Sequence, residues 1–272
     1  SVETAKHTAS ETPAIFSSEV SGQKAAYFIS DLHLGARTIP DRRRHEARVV
    51  RFLDSIADDC GELFLLGDIL DYWFEYRTVV PRGYVRFFGA LARLADRGVK
   101  ITWFIGNHDI WLFDYLRDEI GIKIVDGYEV RDILGSRFFL THGDGVGKLP
   151  RSFRFLRAVF RCRFLQKLYS GIHPRWTIPF ALGWSRHSRS SDSKMKLFEG
   201  EASEPLIAFA RDYIATVDPT VRYFVFGHRH RLVDFDLGPS ADHARVEILG
   251  DWIHHFSYGR FDGERFTLSL FK

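Results

Sequence analysis

The sequence predicts an α/β protein, on three observations. Short apolar runs alternate with stretches of helical periodicity through the first half of the chain: Ala25–Ile29, then 45–58, 62–66, 82–97 and 100–105. Each apolar run ends by delivering a carboxylate, an amide or an imidazole. That is the arrangement expected when functional side chains line the carboxyl edge of a sheet. A second set of strand-like segments, from residue 122 onward, repeats the pattern with two further histidine-bearing ends.

In chain order, Ala25–Ile29 reads as a buried strand ending in Ser30–Asp31–Leu32–His33. In extended backbone, residues i and i+2 point to the same side, so Asp31 and His33 are expected to converge on one ion. Val49, Phe52, Leu53, Ile56 and Ala57 recur at helical spacing and predict a helix over 45–58, closed by Gly61. The strand at 62–66 ends in Gly67–Asp68–Ile69–Leu70–Asp71, where Asp68 taken alone also suits a helix N-cap. Trp73, Phe74, Tyr76, Phe87 and Phe88 read as core or as a pocket wall. The helix over 82–97, closed by Gly98, leads to the strand at 100–105 and then to Gly106–Asn107–His108–Asp109. Three adjacent polar residues directly after a buried strand have no simple structural reason. Asn107 suits a divalent cation, and His108 an acid or charge-stabilising role. A helix is expected over 109–119. Strands follow at 122–125, 128–134 and 137–140, with a hairpin turn at 135–136, and the last runs into His142–Gly143–Asp144.

From Gly145 to Ser191 the chain has no Asp or Glu, while Arg and Lys alternate with large apolar residues. This predicts a helical insertion over about 149–197, broken near 171–174. It reads either as an ordinary helical subdomain with a solvated basic face, or as a lid that is cationic and greasy, suited to a phosphorylated lipid or an anionic membrane surface. A helix at 204–216 and a strand at 221–226 follow, and the strand delivers Gly227–His228–Arg229–His230. Strands at 231–236, 244–249, 253–260 and 265–271 complete the chain, the last two joined at Asp262–Gly263.

Composition sets bounds. A hydrophobic content of 45% with 27% charged residues is that of an ordinary soluble globular chain. A formal charge of +3 is too small to imply nucleic-acid binding unless it is clustered, and the clustered region carries large aliphatics that favour lipid over a phosphate backbone. Two distant cysteines, Cys60 and Cys162, make no disulfide framework and suggest a reducing compartment. No apolar run has the length of a membrane span. Residues 1–24, rich in Ser, Thr, Glu and Ala, read as a disordered tail rather than a signal peptide.

Five strand ends thus carry Asp31 with His33, Asp68, Asn107, His142, and His228 with His230. Mixed imidazole and carboxylate ligands suit Mn²⁺, Zn²⁺ or Fe. They are too many for one tetrahedral ion. Two ions about 3.5–4 Å apart and sharing a carboxylate fit better, and such pairs favour hydrolysis of phosphate esters or anhydrides. No cysteine lies at a motif and no Gly-x-Ser-x-Gly elbow is present, which argues against a covalent nucleophile.

Asp-x-His, Gly-Asp-x-x-Asp, Gly-Asn-His-Asp, a lone His before Gly-Asp, and Gly-His-x-His, in that order, resemble the calcineurin-like metallophosphoesterases over about residues 25–272. The resemblance implies a four-layer αββα sandwich with a dimetal site at one edge. It implies Asp31, His33, Asp68 and His230 around a first metal, and Asp68, Asn107, His142 and His228 around a second, Asp68 bridging. It places His108 against the phosphoryl group, with Asp109 orienting it from outside the ligand set, and makes Asp71 and Asp144 supporting residues. Ile29–Ser30–Asp31–Leu32–His33–Leu34–Gly35, the run from Leu65 to Phe74, the long insertion after Asp144, and Leu249–Gly250–Asp251–Trp252 resemble the branch that hydrolyses UDP-2,3-diacylglucosamine in lipid A biosynthesis. That branch implies attack at the α-phosphorus giving UMP and 2,3-diacylglucosamine 1-phosphate, Mn²⁺ as metal, a lipid-linked UDP-sugar as substrate, and a cytoplasmic enzyme peripheral on the inner membrane's cytoplasmic face. The chain departs from the branch in carrying His108 where its best-known members have Arg, and Lys148–Leu149–Pro150 where they have acidic residues. The branch's lid signature aligns loosely with Arg186, Ser188, Arg189, Lys194 and Lys196, the candidate substrate-binding residues. The alternatives are a metallophosphoesterase for another nucleotide- or lipid-linked phosphodiester, a phosphoprotein phosphatase, a nuclease, or a non-catalytic scaffold. The last predicts missing ligands, and none is missing.

Overall fold

The computed structural model describes residues 24–147, 151–181, 183 and 204–272. The expected tail up to residue 23 and the candidate residues Arg186, Ser188, Arg189, Lys194 and Lys196 lie outside the described residues. Among the described residues, eleven strands form two sheets. The first has the order β11-β10-β1-β2-β3-β4, built from β1 (Ala25–Ile29), β2 (Cys60–Leu66), β3 (Lys100–Phe104), β4 (Lys123–Val125), β10 (Ser257–Phe261) and β11 (Phe266–Leu270). The second has the order β5-β6-β7-β9-β8, built from β5 (Tyr128–Ile133), β6 (Ser136–Thr141), β7 (Tyr223–Phe226), β8 (Leu232–Asp236) and β9 (Arg245–Leu249). Strands β1 to β4 run parallel, with Tyr27 opposite Leu63 and Leu63 opposite Ile101, and β6, β7 and β9 run parallel in the second sheet.

The runs that carried no alternation are buried on both faces. In β1, Ala26 and Phe28 pack between the sheets with Phe64, Phe104, Phe138 and Val225, while Ala25, Tyr27 and Ile29 pack under helices α1 (Arg42–Ser55) and α2 (Val85–Asp96). Phe28 stacks on Phe64 at 4.9 Å and on Phe138 at 5.7 Å, tying the two sheets through one ring. Behind the second sheet, Leu206, Ile207 and Ala210 of the last helix pack on Phe224, Phe226 and Ile248. The layers are therefore helix, sheet, sheet, helix. Burying one such Phe contributes about 2–3 kcal/mol.

Several expected boundaries shift, each for a local reason. Helix α1 starts at Arg42 rather than 45 because the Asp41 side chain accepts the Arg44 backbone N–H at 2.9 Å, and it ends at Ser55, so Gly61 lies inside β2 instead of closing the helix. The hairpin turn falls at Leu134–Gly135, both at positive φ, with Ile133 paired to Ser136. The helix expected over 109–119 is cut to α3 (Tyr115–Ile120). Asp109 is held among the strand ends instead, and Glu75 Oε2 accepts the backbone N–H groups of Phe113, Asp114 and Tyr115 at 2.7, 2.8 and 3.2 Å, fixing the start of α3 from another loop. Residues 252–255 are a turn, and β10 begins only at Ser257, because the Asp251 carboxylate takes three successive backbone N–H groups there. After His142 come α4 (Arg151–Arg161), α5 (Arg163–Ser170), a turn at 171–173 and a helical stretch over 174–181. The final helix, α6 (Pro205–Thr216), has proline at its first position, and Glu204 caps it. No helix among the described residues is long and apolar enough to cross a membrane.

Candidate metal centre

The strand ends of both sheets meet at one edge. Three groups of side chains there each offer ligand atoms within 4.8 Å of one another: Asp31, His33 and His230; His33, Asp68 and His108; and Asp68, His142 and His228. Asn107 joins them, its Oδ1 lying 3.2 Å from His142 Nε2. The structure therefore gathers all seven expected ligands, and His108 beside them, from five separated loops.

The backbone that does this is not extended. Asp31, His33, Asp68, His228 and His230 all have φ between 44° and 65°. Asp31 and His33 converge because each sits in the left-handed region, not through strand alternation, and His33 Nε2 ends 3.8 Å from Asp31 Oδ1. Left-handed backbone costs a non-glycine residue roughly 1–2 kcal/mol, and such strain gathers at functional sites. Packing enforces it. The Asp31 N–H donates to Gly67 O at 3.1 Å and the His33 N–H to Asp68 O at 3.0 Å, so the first two loops are laced together. Asp68 starts no helix, which removes the N-cap reading. A Cβ on Gly67 would lie 2.6 Å from His142 Nδ1, and one on Gly227 2.7 Å from Asp31 Oδ2, so neither loop tolerates a side chain at its glycine.

Four of the candidate ligands, Asp31, Asp68, His142 and His230, are each held by one atom and offer another. Asp31 Oδ2 accepts Ser30 Oγ–H at 2.7 Å and His228 N–H at 2.8 Å, while Oδ1 is buried without a hydrogen bond. Asp68 Oδ1 accepts the His108 N–H at 2.8 Å, leaving Oδ2 3.3 Å from His142 Nε2 and 4.0 Å from His33 Nε2. His142 Nδ1 donates to Leu66 O at 2.7 Å, so its neutral ring keeps the lone pair on Nε2. His230 Nδ1 lies 3.2 Å from Asp251 Oδ2, with the same consequence. Both His33 ring nitrogens are buried without a hydrogen bond, although Asp71 Oδ1 stands 3.5 Å from Nδ1. Orphaned imidazole and carboxylate atoms facing one another are costly in a buried site and fit a pair of divalent cations.

Electrostatics report the same crowding. Burial favours a neutral His33, but the Asp31 and Asp71 carboxylates, with Asp68 behind, outweigh it and lift its pKa to about 10. His142 is likewise held well above the usual imidazole value: burial opposes this, and the charge of Asp68 overcomes it. His228 is pushed down to about 4 by burial and by the neighbouring His142. Asp68 stays well below the carboxylate range, because His142 and His108 outweigh its burial.

Asp109 does not take the place expected for it. Its carboxylate accepts the backbone N–H of Gly106 at 2.7 Å and of Ile69 at 2.9 Å, and the Trp103 indole at 3.1 Å. It thereby ties the Asp68 loop to the Asn107 loop. His108 Nδ1 instead donates to Asp71 O at 3.2 Å, with Asp71 Oδ1 at 3.7 Å. Asp144 pairs with Arg157 of α4. The loop bearing His228 and His230 is pinned from outside by Arg229 on Glu204 at 3.1 Å. Two supporting residues lacked a sequence signal of their role. Glu75 reads as one more charge near an aromatic cluster, and Asp251 as the end of a strand motif.

Beside Asn107, His108 and Asp71 a cavity of about 470 Å³ opens, roofed by α4, α5 and the stretch over 174–181. Ile110, Trp111, Val159, Phe160, Leu165 and Tyr169 line it. The Trp111 indole donates to Phe160 O at 3.0 Å, and Tyr72 Oη lies 3.2 Å from Tyr169 Oη, so these helices rest on the sandwich at this wall.

Two back-to-back sheets carrying imidazoles and carboxylates on one shared edge define a class of metal-dependent phosphoesterases. The chain belongs to the calcineurin-like phosphoesterase family, whose model matches residues 26–232. A Porphyromonas gingivalis (strain W83) protein named UDP-2,3-diacylglucosamine hydrolase is 42% identical over 256 residues, covering 89% of this chain and 95% of its own length. A protein of the same name from Neisseria meningitidis (strain Z2491) is 26% identical over 249 residues, covering 89% and 95%. Among solved structures, Yfce, a phosphoesterase from E. coli, aligns with a TM-score of 0.44 at 17% identity, covering 91% of this chain and 93% of its own.

Proposed function

We propose that the chain is a dimetal hydrolase that cleaves the diphosphate of UDP-2,3-diacylglucosamine to UMP and 2,3-diacylglucosamine 1-phosphate in lipid A biosynthesis. The observation that carries this is the junction of two chemistries: the polar centre and the apolar cavity share Asn107, His108 and Asp71 as a common wall. A substrate with a diphosphate at one end and acyl chains at the other fits that junction. The 42% identity to a protein named for that substrate points the same way.

In this reading Asp31, His33, Asp68 and His230 hold one divalent cation and Asp68, Asn107, His142 and His228 another. Mn²⁺ is the first choice, with Zn²⁺ or Fe compatible with the same donors. Asp68 would be shared between the two, since its Oδ2 faces both His33 and His142. When bound, the pair supplies Lewis acidity to the phosphoryl oxygens and lowers the pKa of a water. His108 presents its Nε2 side to the phosphoryl group while Asp71 O fixes the ring through Nδ1, which suits it to stabilise charge or protonate the leaving oxygen. Asp109 keeps His108 in register indirectly, by joining the loops on which Asp68 and Asn107 stand. The helices over 151–181 act as a lid, and its remaining candidates, Arg186, Ser188, Arg189, Lys194 and Lys196, would bind the sugar phosphate. Phe155, Phe164, Leu168, Trp176 and Phe180 are exposed among Arg151, Arg154, Arg163, Lys167 and Arg175, a surface suited to an anionic membrane. A cytoplasmic protein peripheral on the inner membrane follows from that surface and that substrate.

The test is release of UMP from UDP-2,3-diacylglucosamine by Mn²⁺-loaded protein, compared with hydrolysis of bis(p-nitrophenyl) phosphate. UMP release, with Val159→Asp in the cavity wall raising KM for the lipid substrate and sparing the small one, supports the reading. Brisk cleavage of the small diester with no UMP would replace it by a general phosphodiesterase.

A further inference from the structure

The turn between β9 and β10 is more than a connection. Asp251 has a fully buried side chain and both carboxylate oxygens engaged. Oδ1 accepts the backbone N–H groups of Ile253, His254 and His255 at 3.2, 2.8 and 3.1 Å. Oδ2 faces His230 Nδ1 at 3.2 Å and His254 Nδ1 at 3.0 Å, and His255 Nδ1 stands 3.2 Å from Oδ1. The next residue continues the contact: the Trp252 N–H donates to Asp31 O at 3.1 Å, while its indole is buried in the core and donates to Ser257 O at 2.8 Å. One turn, anchored by a core tryptophan, therefore holds two of the three residues in the group Asp31, His33 and His230, the first by its backbone and the last by its ring.

We infer that Asp251 is a positioning residue for that half of the centre, acting through His230. A carboxylate can only accept, so it requires the proton on Nδ1 and directs the Nε2 lone pair toward Asp31 Oδ1, 3.4 Å away. The three backbone donors keep the carboxylate from rotating to serve another partner. Asparagine is nearly isosteric but brings an N–H₂ that can face Nδ1, which favours the opposite tautomer and turns the lone pair away from the site. The inference rests on the reading of the centre as a dimetal site, and the two fail in different ways.

The experiment is Mn²⁺ titration of wild type, Asp251→Asn, His230→Gln and the double variant, followed by calorimetry and by electron paramagnetic resonance. Wild type is expected to take two Mn²⁺ and to show a spin-coupled pair. Asp251→Asn should weaken one of the two equivalents by roughly 10–100-fold and, at concentrations that saturate wild type, show a mononuclear signal. In the His230→Gln background it should change nothing further, which a merely structural role would not produce. His254→Ala with His255→Ala should leave both affinities in place. Fewer than two Mn²⁺ in wild type would overturn the dimetal reading itself. Two Mn²⁺ at wild-type affinity in Asp251→Asn, or an equal loss in the His230→Gln background, would overturn the role of Asp251 alone. Should Asp251→Asn not fold, ¹⁵N-histidine spectra of the unmutated protein decide: a His230 ring carrying its proton on Nδ1 supports the inference, and one carrying it on Nε2 overturns it.

Discussion

At the scale of single residues, the centre depends on one carboxylate standing between two clusters of imidazoles. Asp68→Ala is expected to reduce bound Mn²⁺ and to lower kcat by at least about 10³-fold, measured by elemental analysis and turnover. A variant that keeps both ions would contradict the bridging role. His108→Ala should keep both ions while kcat falls by about 10²–10⁴-fold. Protonation adds a signed expectation. The His33 pKa of about 10 in the metal-free protein is above its unfolded value of about 6.5, so its contribution to stability is full below pH 6.5 and is lost as pH rises toward 10. Metal must displace that proton, so Mn²⁺ affinity should rise with pH from 6 to 9. The metal-free melting temperature should fall over pH 7–10 while the Mn²⁺-loaded one holds; equal slopes would show that the ring does not carry the proton. Asp31, His33, Asp68, Asn107, His142, His228 and His230 were legible because each follows an apolar run. The left-handed backbone that aims five of them was not, since it is imposed by partners such as Gly67 O and Asp68 O on another loop.

At the scale of elements, the helices and strands were legible wherever burial on a face set the periodicity, as in β1 to β3 and α1. They were misread where a side-chain carboxylate overrode local preference. Glu75 holds the start of α3 from a loop some 40 residues away, and Asp251 delays β10 by capping residues 253–255. Removing such a capping group strands several backbone donors. Glu75→Ala should therefore lower stability by about 2–3 kcal/mol in urea unfolding, with Trp73 Nε1 also losing its partner. A change under about 0.5 kcal/mol would show that water replaces the carboxylate at no cost. The helices over 151–181 follow a different logic. Basic and apolar residues alternate there in a way that no core demands, and Phe155, Trp176 and Phe180 are exposed among the described residues.

At the scale of the whole molecule, two sheets stacked through Phe28, Phe64 and Phe138 turn five loops toward one edge. Neither the pairing of β10 with β1 nor that of β6 with β7 was readable from the chain, because both join segments far apart in sequence. The order of motifs stood in for that missing topology. The basic, apolar surface of the 151–181 helices should bind phosphatidylglycerol vesicles at low salt, bind phosphatidylcholine vesicles weakly, and release from phosphatidylglycerol as salt is raised, measured by flotation. The central claim, hydrolysis of the diphosphate at a two-metal centre, is tested most directly by turnover of UDP-2,3-diacylglucosamine in ¹⁸O-water with Mn²⁺ present, the products being weighed by mass spectrometry. One ¹⁸O in UMP and none in the diacylglucosamine 1-phosphate is the predicted result. No cleavage, or label in the sugar phosphate instead, would contradict it.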